Sequence, residues 1–394
     1  MKLNAKSLIA ITVCAIILPT IAADAPKETK TKKACCNQQQ AEQPQVDLVF
    51  VLDTTGSMSG LIKEAKEKIW SIVNTVSQAR PTPKVRLGII GFRDRGDTYV
   101  TDFNPMTEDI DKIYSRLMTY QAQGGGDRPE SVNQALHEAV NKMNWSKNKK
   151  TTKTIFLVGD SPPHMDYQQD VKYQESCKLA RKKDIVINTV LCGNHSDTRG
   201  IWQDIAQRGG GSFFEVEQGG STITIPTPYD VKIKKIIIEL EGCKIPYGDA
   251  TIQRAAMEKS KVSGSIFKSA SDTANAQRAE YKIYKSKSAP TTNDLLEKLS
   301  RKDISQKDIK TEKLPQKLQK MSSEQRAVYI KDLQAKRLTL TKQLRELSDK
   351  RQQYIRENIS KKKLENSFEN QVFKNMNKQM KTKGLELKES DLKL

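Results

Sequence analysis

Only three histidines, His137, His164 and His195, and six cysteines occur in this chain of 394 residues. So small a supply of imidazole leaves little for acid–base catalysis. No nucleophile elbow accompanies a Ser, His and Asp set, and no general base stands out beside the carboxylates. Long apolar runs are also missing: the one at 8–22 falls short of the roughly 20 residues that a membrane span needs. The three glycines at 124–126 lack the Lys-Ser/Thr pair that follows a phosphate-cradling loop, and Asp127 beside them would repel phosphate. Nucleotide binding and catalysis are therefore not expected. A metal-assisted hydrolase would need a second ion within about 4 Å of a first, and no spare ligand set shows in the sequence.

Positive charge is abundant but unevenly spread. The chain carries 67 Lys and Arg against 47 Asp and Glu, a formal net charge of +20. Residues 46–217 are nearly neutral, with 23 basic against 22 acidic side chains, whereas residues 301–394 hold 25 against 13. The basic character belongs to the tail, where Lys alternates with Glu, Gln and Asn as on a solvated helix. Nucleic acid is not the expected partner. An anionic envelope surface met by the tail is the alternative to a solvated face.

Lys2 and Lys6 precede the apolar run, and small residues follow at Ala22 and Ala23, the pattern of a cleaved export signal at 1–23. The protein is expected outside the cytoplasm, with periplasm and full secretion both open, and with no transmembrane span after cleavage. A Gln-rich linker at 24–45 contains the vicinal Cys35 and Cys36. Five cysteines would remain after cleavage, an odd number, so at least one is unpaired in a monomer. Cys177 and Cys192 sit at different heights of a helix and the following strand, and no bridge is expected between them. No pairing is assigned to Cys243.

What the sequence does contain is a strand that ends in oxygen ligands. Residues 46–59 read VDLVFVLDTTGSMS, an apolar strand closing on Asp53 with Thr55 and Ser57 at alternate positions beyond it. Hard oxygen donors suit Mg²⁺, Mn²⁺ or Ca²⁺. This pattern resembles the metal-ion-dependent adhesion site of von Willebrand factor type A domains, Asp-x-Ser-x-Ser with further ligands from two other loops. Asp127, after the three glycines, matches the position usually held by Thr, and Asp160 ends a second apolar strand in FLVGD. The resemblance implies a metal held by Asp53, Thr55, Ser57, Asp127 and Asp160, with one coordination position left for a carboxylate or other oxygen of a protein ligand. A third carboxylate implies tighter metal binding and a weaker pull on an incoming anion. Arg95, Gly96 and Asp97 read as a turn, and His164 lies close enough to Asp160 to line the rim.

Strand-like runs at 46–52, 85–92, 154–158, 185–191 and 212–216 alternate with helical stretches, which predicts an α/β, doubly wound, mostly parallel sheet over 46–219. Continuous rather than alternating apolarity indicates strands buried on both faces. An antiparallel edge strand at 98–103 is what the family resemblance implies. A mixed helical extension is expected at 220–300, including a helix at 228–241 capped by Thr227. The basic helical tail at 301–394 opens a long helix with a capping box at Ser322 and Gln325. Ile330, Leu333, Leu340, Leu344, Leu347 and Tyr354 fit coiled-coil a and d positions, but Arg337 and Arg351 interrupt the a column. A dimer, a helical hairpin and a helix docked on the head all fit this pattern.

Overall fold

The apolar run that closes on Asp53 is the strand β1 (Gln45–Asp53), lying between β2 (Lys84–Phe92) and β4 (Thr152–Gly159) and parallel to both. Beyond them lie β3 (Thr101–Thr107) on one edge and β5 (Val186–Cys192) with β6 (Gly210–Val216) on the other, giving the order β3-β2-β1-β4-β5-β6. Only β3 runs antiparallel to its neighbour. It starts a little later than the family resemblance implies, because Arg93 donates its backbone N–H to Val100 O and the intervening residues turn back at Asp97. The computed structural model describes residues 43–216, 225–288, 293–360 and 364–392, and its contacts group everything from Gln43 onward into one unit. The expected export signal, Cys35 and Cys36 lie outside the described residues.

Side chains of a strand alternate between faces, and here the alternation builds two cores. Val46, Leu48, Phe50 and Leu52 face α1 (Leu61–Ser77) and α2 (Ile110–Thr119). Val49 and Val51 face α3 (Val132–Asn141), α4 (Tyr173–Lys182) and α5 (Ser196–Gly209). Cys177 belongs to the second core and Cys192 to the first, so the sheet itself separates them; both thiols are buried, as is that of Cys243.

The residues after the sheet form helices that close over it. They are α6 (Asp230–Gly242), α7 (Ala250–Ser269), α8 (Asp272–Ser288), α9 (Leu295–Ser300), α10 (Gln316–Gln319), α11 (Ser323–Asn358) and α12 (Phe368–Lys381). α6 begins two residues later than the sequence predicts, yet Thr227 still ties its start, donating from N and Oγ1 to the Asp230 carboxylate at 3.1 and 2.7 Å. α11 does open on the reciprocal Ser322 and Gln325 capping box. Its apolar stripe docks inside the same chain, where Leu340 and Leu344 join Ile233, Ile237 and Ala276 in a third core. The arginines that break the heptad have partners there: buried Arg351 reaches Asp230 at 2.9 Å and Glu280 at 3.2 Å, and Arg337 pairs with Asp294.

α12 continues the first core. Phe368, Val372, Phe373, Met376 and Met380 lie on one helical face and are buried against α1 and β6. Buried Lys68 and Glu369 pair between α1 and α12. α8 is fixed to the head by Arg278, which forks onto Asp111 with two bonds of 2.7 Å. Burial would raise the Asp111 carboxyl, but Lys282 and Arg278 overcome it and hold that group well below the usual carboxylate range. Among the described residues, no helix is long and apolar enough to cross a membrane.

Candidate metal centre at the carboxyl end of the sheet

Parallel strands direct their carboxyl ends to one edge, and the loops leaving β1, β2 and β4 meet there. Asp53 is the last residue of β1 and is fully buried. Its Oδ1 accepts from the Thr55 backbone N–H at 2.9 Å and from Thr55 Oγ1 at 2.6 Å. Thr55 Oγ1 lies 3.0 Å from Ser57 Oγ, and Ser57 Oγ donates to Asp160 Oδ1 at 3.0 Å. Four of the five residues expected from the sequence thus form a continuous hydrogen-bonded chain, with Ser57 its exposed member.

The glycine loop closes against this chain. Gly124 and Gly125 both take positive φ, +75° and +79°. Gly124 accepts from Gly56 N through its carbonyl at 2.9 Å, and a Cβ there would fall 2.3 Å from an oxygen of the Asp97 carboxylate. Only glycine meets both demands. A Cβ on Gly125 would stand 2.9 Å from Glu130 Oε1 and 3.2 Å from Thr55 Cβ, so the backbone passes between these two side chains without filling the space. Glu130 in turn is locked to the β4 loop: its N–H donates to Pro162 O at 2.9 Å, and its carbonyl accepts from His164 N at 3.1 Å.

Asp127 is not in the hydrogen-bonded chain. Its side chain is 65% exposed and turns toward His164, with Oδ1 at 3.7 Å from Nε2. The carboxylate that the glycine loop buries beside Thr55 is Glu130, three residues on, which the sequence reading did not single out. A weak signal was there, since Pro129 and Glu130 immediately precede Ser131 at the start of α3. Arg95, Gly96 and Asp97 form the expected turn, with Gly96 at φ +94° and Asp97 Oδ2 accepting from Gly125 N at 2.9 Å.

The electrostatics are those of a site short of positive charge. Burial pushes the Asp53 carboxyl up to about 7, opposed by the Thr55 hydroxyl and assisted by Asp160. Burial pushes Glu130 up to about 9, with Asp53, Asp94, Asp97 and Asp160 all adding to the rise. Asp53 Oδ2 and Glu130 Oε2 are buried and accept no hydrogen bond. Unpartnered carboxylate oxygens next to two hydroxyls fit a hard dication, which would supply the missing charge and fill the empty lone pairs.

The family model described as von Willebrand factor A domain matches residues 47–218, and the chain carries such a domain there. Domains of this family are generally protein-interaction modules and often bind a divalent metal. The chain is 22% identical over 214 residues to a putative ariadne-like RING finger protein of Acanthamoeba polyphaga mimivirus, covering 50% of this chain and 20% of that protein. It is 38% identical over 99 residues to von Willebrand factor A domain-containing protein 7 of Rattus norvegicus, covering 25% of this chain and 10% of the other. The chain therefore spans a fifth or less of the length of these relatives. Among solved structures it is similar to the SpRpn10 VWA domain, with a TM-score of 0.34 and 13% identity over 44% of this chain and 89% of that one.

Proposed function

We propose that the protein is an exported binding module that captures a protein partner through a divalent metal at the Asp53 site. The observation that carries this reading is the chain Asp53, Thr55, Ser57 and Asp160, closed by buried Glu130, with two carboxylate oxygens left without a donor. Thr55 and Ser57 would hold the ion through their hydroxyls, and Asp53, Asp160 and Glu130 directly or through water. Mg²⁺ is the best-suited ion, with Mn²⁺ and Ca²⁺ as alternatives. Ser57 is the exposed member, so a partner's carboxylate or other oxygen would approach from its side.

With Glu130 in the place that the sequence gives to Asp127, the site would carry three carboxylates. Such a site holds its metal strongly but leaves the ion less net charge to attract an anionic ligand. Binding rather than catalysis is the role that this chemistry supports. The test is metal uptake and capture of envelope proteins by the parent, Asp53→Ala and Ser57→Ala chains, with and without a chelator. Capture lost in both variants and on chelation supports the reading; capture that survives all three moves the activity to another surface.

A further inference from the structure

Beside the Asp53 site, three residues from three different loops converge. Asp94 follows β2, Asp127 ends the glycine loop and His164 follows β4, and one ligand atom from each lies within 4.8 Å of the other two. His164 is 3% exposed. Its Nδ1 lies 2.8 Å from Asp166 Oδ1, while its buried Nε2 makes no hydrogen bond and faces Asp94 Oδ2 at 3.3 Å and Asp127 Oδ1 at 3.7 Å. No Lys or Arg among the described residues forms an ion pair with Asp94 or Asp127; the nearby Arg95 lies over the Tyr167 ring and pairs with Asp170.

We propose that Asp94, Asp127 and His164 form a second divalent-metal site, separate from the Asp53 site and suited to Zn²⁺. Two ligands about 2.0–2.1 Å from one ion at the tetrahedral angle stand roughly 3.3–3.4 Å apart. The nitrogen-to-oxygen separations already approach that value, and Asp127, being exposed, is free to close the rest. Metal-bound histidines usually give their other N–H to a carboxylate, which fixes the tautomer that leaves a lone pair on the ligating nitrogen. Asp166 does this for His164. The frame is also built to hold: Asp94 accepts from Ser131 Oγ and Tyr167 Oη at 2.9 Å each, and the His164 ring stacks on Tyr167 at 3.9 Å. An imidazole nitrogen in the set favours zinc over Mg²⁺ or Ca²⁺.

The two donor sets share no residue, so no carboxylate bridges the ions as in a two-metal hydrolase. The second ion would act structurally. It would clamp the β2, glycine and β4 loops together, and through the Glu130–Pro162 and His164–Glu130 backbone bonds it would steady the carboxylate of the first site.

The full chain, stripped of metal, is titrated with Zn²⁺ against a chromophoric chelator in excess Mg²⁺, and Co²⁺ spectra are recorded in parallel. The parent should hold one Zn²⁺ that Mg²⁺ does not displace. Asp127→Asn and His164→Gln should each weaken it tenfold to a hundredfold or more and alter the Co²⁺ bands, and Asp53→Ala should still bind it. Asp127 is exposed, so its variant decides the matter even if His164→Gln does not fold. Equal zinc affinity in the parent and Asp127→Asn overturns the proposal. So does His164 remaining doubly protonated by NMR at saturating Zn²⁺, because a proton would then be the cation that this pocket holds.

Discussion

Asp53 and Glu130 are acids whose burial favours the neutral form, and that gives the metal-free protein a definite pH dependence. A carboxyl whose folded pKa lies above its unfolded value stabilises the fold below the unfolded pKa, and this contribution is lost as pH rises through the folded value. For Asp53 the window runs from 3.8 to about 7 and for Glu130 from 4.5 to about 9. Thermal melts of chelated protein should therefore show stability falling from pH 5 to pH 9, and Mg²⁺ should restore it most at the alkaline end. A flat profile in chelator would mean that these carboxyls are not strained by burial. Glu130→Gln removes one of the three charges: calorimetry should show Mg²⁺ affinity reduced by about tenfold or more, while at saturating Mg²⁺ an acidic ligand should bind more tightly than to the parent. The nearness of Asp53, Thr55, Ser57 and Asp160 to one another was legible because all four lie at or just beyond the ends of β1 and β4. The burial of Glu130 rather than Asp127 was not, since two left-handed glycines and the backbone pairing of Glu130 with Pro162 decide which carboxylate is buried.

At the level of elements, Arg351 shows how a defect in a pattern becomes a contact. As a heptad the helix is poor, because arginine stands where a leucine belongs. As a docked helix it is specific: Arg351 is fully buried between Asp230 on α6 and Glu280 on α8. Arg351→Ala leaves two buried carboxylates without their cation and should cost about 3–5 kcal/mol in denaturant unfolding. Arg351→Met does the same to the charges but refills the space, so it should cost less; a larger loss for Met would contradict the charge-pairing account. The heptad pattern alone does not choose among dimer, hairpin and docking, because a stripe of leucines fits any apolar groove and the groove here is made by α6 and α8, far away in sequence.

On the scale of the molecule, the basic tail is part of the head's packing. α12 supplies Phe368, Val372, Phe373, Met376 and Met380 to the core that also holds Phe50 and Trp70. Full burial of one such side chain contributes about 1.5–3 kcal/mol, so a chain ending at residue 360 should melt well below the parent and bind apolar dyes. An unchanged melting temperature would show that α12 is dispensable to the head. The α/β sheet was legible in the chain because short apolar runs of strand length alternate with helical stretches, a rhythm that leaves few other folds open. The closure of its face by residues over 150 positions beyond β6 was not, because amphipathic helices do not name the surface that they cover.

On the reading proposed above, Asp53, with Thr55, Ser57, Asp160 and Glu130, would hold a hard divalent cation. Calorimetric titration of chelator-treated protein with Mg²⁺, for the parent and Asp53→Ala, tests it most directly. One saturable Mg²⁺ per parent chain, absent in a folded Asp53→Ala chain, is the predicted result. The same Mg²⁺ affinity in both would contradict it.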